Sequence, residues 1–153
     1  MKQTLAPLIA TCCGLGYAPW APGTLGSLAA LPLAWGLGAA FGVTGLLVGI
    51  SLIVAAGWWA ASQMERRTGI KDGGPIVIDE VAGQCLALAA TPREIWGYVL
   101  GFVLFRFFDI VKPWPINWAD RRIAGGLGVM ADDLMAGAGA ALLLAGARWF
   151  LER

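Results

Sequence analysis

The sequence predicts an all-α fold: a polytopic membrane bundle of about four to five hydrophobic segments, with its polar loops gathered on the cytoplasmic side. Three observations predict it. The 153 residues are 58% hydrophobic and only 14% charged, with a mean hydropathy of +0.70, whereas soluble domains carry about 25% charged residues. No charge occurs at residues 3–64, between Lys2 and Glu65, and a chain this short cannot hide such a run inside a soluble core. Apolar stretches then recur at lengths near the ~20 residues that cross a bilayer. The length fits one domain, residues 1–153.

Taken in order, residues 5–18 are apolar but lack a signal-peptidase site and run straight into the next apolar stretch, so nothing is treated as cleaved. Residues 28–41 and 43–62 form the first two membrane-length segments, with Gly42 as a tight turn between them. A polar loop follows from Gln63 to Asp79. Residues 81–90 and 95–108 read as a short helical hairpin interrupted by Thr91-Pro92-Arg93-Glu94, with Pro92 suited to a first helical turn. A second polar loop spans Asp109 to Met130, and the last helix covers about 133–151. Its Gly/Ala face suits close helix approach, in a homo-oligomer as readily as within one chain.

Basic residues set the topology. With the N-terminus and both long loops on one side, Lys2, Arg66, Arg67, Lys71, Arg106, Lys112, Arg121 and Arg122 collect there, against Arg93, Arg148 and Arg153 opposite. The loop side is therefore predicted to be cytoplasmic. A net charge of +1 without a basic stretch excludes nucleic acid as an expected partner. Cys12, Cys13 and Cys85 lack zinc spacing and read as small apolar residues. Trp20, Trp58, Trp59, Trp114 and Trp118 flank segment ends as interfacial anchors do.

Seven of the ten acidic residues, Asp72, Asp79, Glu80, Asp109, Asp120, Asp132 and Asp133, fall in these same-side loops or at their helix junctions. Ionisable groups beside apolar segments are costly and point to function. Asp120 is explained by its neighbours Arg121 and Arg122 as a solvated surface charge. Asp79-Glu80, set between IVI and VAG, is not. Asp132 and Asp133 open the predicted last helix, where one suffices as a cap and the second is free for a metal. Together the two pairs offer the oxygen-rich, negative site that Mg²⁺ prefers. Arg106, Asp109 and Lys112 recur every three residues at a helix end, which Pro113 and Pro115 terminate. Arg106 and Lys112 suit phosphate oxygens, or else neutralise Asp109 and lipid headgroups. In Pro22-Gly23-Thr24-Leu25-Gly26-Ser27, the glycines let backbone N–H groups approach an anion at a helix start; Thr24 or Ser27 serves equally as an N-cap.

Absences narrow the chemistry. There is no histidine, no Cys-x5-Arg loop and no Asp-x-Asp. Carboxylate-held metal with basic residues on phosphate remains.

PGTLGS (22–27), IVIDEVAGQ (76–84), FRFFDIVKPWPI (105–116) and GGLGVMADDLMAG (125–137) resemble, in order, the motifs of the phosphatidylglycerophosphatase A family. The resemblance implies a bacterial inner-membrane, Mg²⁺-dependent enzyme that converts phosphatidylglycerophosphate to phosphatidylglycerol and inorganic phosphate in phospholipid biosynthesis. It carries over Asp79, Glu80, Asp109, Asp132 and Asp133 as the acidic positions and Arg106 and Lys112 as basic partners. Thr24 carries over from PGT, and Asp72 from the acidic position before IVIDE. The metal set is drawn from Asp79, Glu80, Asp132 and Asp133, and the base is Asp109 or Glu80; an aspartyl-phosphate intermediate is equally open. The chain departs from the family at Gly14-Leu15-Gly16-Tyr17-Ala18-Pro19, where a Gly-Ser-Gly-like stretch is usual.

A transporter or a structural membrane protein are the rival readings. A transporter places its acids inside the spans, whereas these cluster at loop–helix junctions. A structural protein tolerates Asp79→Asn and Asp133→Asn.

Overall fold

Proline and glycine punctuate a chain that is otherwise helical. The computed structural model describes residues 2–70 and 73–153; Lys71 and Asp72, like the side chain of Lys2, lie outside the described residues. The elements are α1 (Lys2–Ala10), a 3-10 turn (Leu15–Tyr17), α2 (Pro22–Thr68), α3 (Ile78–Leu88), α4 (Ile95–Val111), α5 (Ile116–Arg122) and α6 (Gly125–Leu151). Among the described residues there is no strand.

Helix α2 starts at Pro22, which has no N–H to leave unpaired. It is broken at Gly42, whose φ of 67° and ψ of −168° suit glycine alone. The chain folds back there. Leu37 packs on Gly49, and Ala30 and Ala34 share a buried cluster with Leu46 and Ile50. The two arms are thus a helical hairpin, turned where the sequence predicts it.

Helix α3 is the centre of the bundle, with nine of its eleven residues buried against α2, α4 and α6. Ile78 and Ala82 face the second arm of α2, while Val81, Cys85 and Leu88 face the hairpin interior, and Ala87 packs with Phe105 and Ala136. The crossing with α6 is backbone on backbone. A Cβ on Gly83 would lie 2.4 Å from the Asp133 carbonyl oxygen, and one on Gly137 would lie 2.2 Å from that of Gly83. Such approach is what small residues permit between apolar helices.

The second predicted loop is largely helical, and helix shortens the first at both ends. Helix α2 runs on to Thr68, α4 to Val111, α5 occupies Ile116–Arg122, and α6 begins at Gly125, eight residues before the predicted start at 133. Packing explains the early start: Gly126 sits against the Ser62 and Trp58 backbone, offsetting glycine's low helix propensity. Pro92 precedes rather than opens α4, whose N-cap is Glu94. Arg93 donates to the Gly38 carbonyl, joining the α3–α4 turn to the hairpin near its tip. At the opposite end α1 packs through Ala6 and Ala10 against Ala60, Ala61 and Met64.

Helices α2 and α6 are long and apolar enough to cross a membrane. Their outward faces carry exposed Leu47, Leu52 and Leu142, a surface matched to lipid.

Candidate active site

The end of the bundle opposite Gly42 gathers most of the acidic side chains. The Val77 N–H donates to the Ala10 carbonyl (2.9 Å), which fixes the start of α3. Asp79 and Glu80 occupy its first turn. Across the glycine crossing, α6 contributes Asp133. Ligand oxygens of Asp79, Glu80 and Asp133 all lie within 4.8 Å of one another, with Asp79 and Asp133 about 95% buried. Glu80 Oε2 is buried without a hydrogen-bond partner among the described residues.

Asp132 and Asp133 do not open α6. Ala124 is its N-cap, and the two acids are the eighth and ninth residues of the helix, about 12 Å from its start at 1.5 Å per residue. The capping explanation therefore falls away, and two buried mid-helix carboxylates stand in its place. Their side chains go different ways. Asp133 joins Asp79 and Glu80, whereas Asp132 pairs with Lys112, which also lies 3.4 Å from Asp120. Asp120, read from sequence as a surface charge, is thus part of this ion-pair group.

Arg106 pairs with Asp109 on the last turns of α4. Its guanidinium reaches the first turn of α2, where a Cβ on Gly23 would meet Glu80 Oε1 at 2.2 Å and Arg106 Nη1 at 3.4 Å. A side chain at Gly23 would have to displace the Glu80 carboxylate. Thr24 follows, half-buried. Neither Thr24 nor Ser27 caps α2: the N-cap is Ala21, and the Ser27 hydroxyl donates to the Gly23 carbonyl (3.0 Å).

Electrostatics follow from crowding. Burial raises the Glu80 pKa; a hydrogen bond with Asp79 opposes that, the Asp109 charge adds to it, and Arg106 opposes it. For Lys112, burial works against the charge, but the Asp132 hydrogen bond and the charges of Asp132, Asp120 and Asp133 outweigh it and raise its pKa. Three carboxylates this close repel one another unless a proton or a cation is shared among them. An all-oxygen donor set of this kind can hold a metal ion.

Sequence reasoning passed over Gln84. Its side chain is fully buried one turn beyond Glu80, and neither amide atom has a hydrogen-bond partner among the described residues. The available signal was a lone amide inside the apolar run 81–90.

Comparison with known proteins agrees with the motif resemblance. The family model for phosphatidylglycerophosphatase A matches residues 8–148. Phosphatidylglycerophosphatase A of Escherichia coli K12 is 41% identical over 138 residues, covering 85% of this chain and 76% of its own length. The Haemophilus influenzae Rd protein of the same name is 40% identical over 130 residues, covering 84% and 80%. A Bacteroides thetaiotaomicron protein provisionally named a phosphatidylinositol-3-phosphatase is 39% identical over 154 residues, covering 96% of each chain. No solved structure matches. With its four motifs meeting at one end of the bundle, the chain belongs to the phosphatidylglycerophosphatase A family of phosphatases.

Proposed function

We propose that the chain removes the terminal phosphate of phosphatidylglycerophosphate, yielding phosphatidylglycerol and inorganic phosphate, as a Mg²⁺-dependent step of phospholipid biosynthesis. The observation that carries this reading is the trio of buried Asp79 and Asp133 with half-buried Glu80, beside Arg106 and the α2 N-terminus. Hard, all-oxygen ligation suits Mg²⁺, and the unpartnered Glu80 Oε2 is an oxygen left for such an ion. Asp79, Glu80 and Asp133 would hold it, with Asp132 in reserve behind its pairing with Lys112. When bound, the ion polarises a phosphoryl oxygen and acidifies a bound water.

The chain's own groups do the rest. Arg106 and the backbone N–H groups of Gly23 and Thr24 hold phosphate oxygens, a guanidinium fork beside a helix N-terminus. Asp109 keeps the guanidinium in place and, lying outside the trio, accepts the proton from the attacking water. Lys112, held by Asp132 and Asp120, adds positive potential at the rim and offsets charge developing on the phosphoryl oxygens.

The same geometry supports a membrane setting. The two arms of α2, α4 and α6 serve as spans, and α3, about 16 Å long at 1.5 Å per residue, is a half-length fifth segment enclosed in protein. We place them in a bacterial inner membrane with the site facing the cytoplasm, where the excess of basic residues lies. Exposed Trp20, Trp114 and Trp118 near the site, and Trp96 and Trp149 at the far end, suit two interfaces. The acyl chains then stay in the bilayer while the headgroup reaches Arg106.

The test is phosphate release by the detergent-purified chain from phosphatidylglycerophosphate and, in parallel, from phosphatidylinositol 3-phosphate, with Mg²⁺ or EDTA. Mg²⁺-dependent release preferring the first substrate supports the reading. Preference for the inositol lipid transfers the chemistry to that substrate, and no release from either ends the phosphatase assignment.

A further inference from the structure

Among the described residues Gln84 is the largest fully buried polar side chain, and both its amide atoms lack hydrogen-bond partners there. Buried polar groups are nearly always paired, so an exception asks for a reason. An unbranched apolar residue of the same size would fill the place without leaving a donor and an acceptor unpaired.

Its position supplies the reason. Glu80 and Gln84 stand one turn apart on α3, at the i,i+4 spacing that brings side chains together on one face. Glu80 Oε2 is likewise buried and unpartnered. Helices α2 and α3 run side by side in the same direction here: Gly26 meets Val77 and Glu80, and the Ala30 carbonyl lies 3.8 Å from Cys85 Sγ. Between those points the Ser27 hydroxyl donates to the Gly23 carbonyl, and it makes no hydrogen bond with Gln84. The unpartnered buried atom one turn before the Gln84 amide on α3 is thus Glu80 Oε2.

We propose that Gln84 is a positioning residue for Glu80. Its side-chain N–H acts on Glu80 Oε2 through one bridging water, which accepts from the amide and donates to the carboxylate, and so fixes the carboxylate's orientation within the trio. The inference rests on the proposed cation site, and residues that orient a ligand in this way typically matter 10–100-fold for affinity or activity.

The test uses detergent-purified full-length Gln84→Met and Gln84→Glu proteins, with three readouts: thermal melting, Mn²⁺ binding followed by electron paramagnetic resonance, and kcat and KM for phosphate release. Gln84→Met should melt at or above the wild-type temperature, bind Mn²⁺ about 10–100-fold more weakly and lose kcat by a similar factor, with KM nearly unchanged. Gln84→Glu, whose buried carboxyl takes up a proton beside the trio and so keeps a donor, should recover part of that loss. Mn²⁺ affinity within about twofold of wild type, or a melting temperature falling well below it, would overturn the proposal, as would a wild type that binds no Mn²⁺. A wild type that binds Mn²⁺ but releases no phosphate defeats the phosphatase reading, and the binding comparison still decides Gln84.

Discussion

At the scale of single residues, the structure separates carboxylates that the sequence presents as equivalent. Asp79→Asn or Asp133→Asn removes a trio member and should cut phosphate release by more than about 100-fold, beyond what loss of a merely orienting group costs. Because each also relieves repulsion among buried like charges, the metal-free protein should melt about 2–4 °C higher, equivalent to ~1 kcal/mol in a chain of this size. Calorimetry in EDTA checks the sign. Lys112→Met should act differently, leaving Asp132 buried without its cation and destabilising the fold by about 1.5–3 kcal/mol. Adding Asp132→Asn should restore most of that loss in a denaturant titration. Sequence made the acidic pairs Asp79-Glu80 and Asp132-Asp133 legible, but not the division of the second pair. That division depends on the rotational phase of α6, and an apolar-run reading starts the helix too late to set it. Gln84 was missed because a single amide in an apolar run has no periodic signal.

At the scale of elements, the site depends on how closely α3 and α6 cross. A methyl at Gly83 meets the Asp133 backbone carbonyl, so Gly83→Ala should cost about 1–3 kcal/mol through overpacking and displace Asp133 from Asp79. A melting curve and an activity assay should therefore fall together, unlike the opposed changes expected for Asp133→Asn. The turn at Gly42 was readable because one glycine divides two runs of membrane length. The extensions of α2 and α4 and the whole of α5 were not, because polar residues at a helix end look like loop until their packing partners are known. Ser62 beneath Gly126 is such a partner, 64 residues away in sequence.

At the scale of the whole molecule, the bundle has two unlike ends: one holds the carboxylates, Arg106 and Lys112, the other the Gly42 turn, Arg93 and Arg148. The proposed orientation makes the first end cytoplasmic. Cys13 is exposed at that end, and Cys12 beside it has its thiol pushed up to about 11, by burial first and then by the Asp79 charge. At pH 7 the Cys12 thiol therefore stays protonated and slow to react. An impermeant maleimide should label Cys13 in inside-out vesicles and not in right-side-out ones. A Phe41→Cys variant, with Cys13 changed to Ser, should give the opposite pattern. Composition pointed to long apolar helices through a run of 62 uncharged residues, and α2 and α6 are long and apolar enough to cross a membrane.

The measurement that bears most directly on the central claim is a Mg²⁺ titration of phosphate release from phosphatidylglycerophosphate, comparing wild type with Asp79→Asn and Asp133→Asn. The account predicts saturable Mg²⁺ dependence in the wild type, abolished by EDTA, and near-complete loss in both folded variants. Undiminished release by either variant, or by wild type in EDTA, would contradict a metal-holding role for the trio.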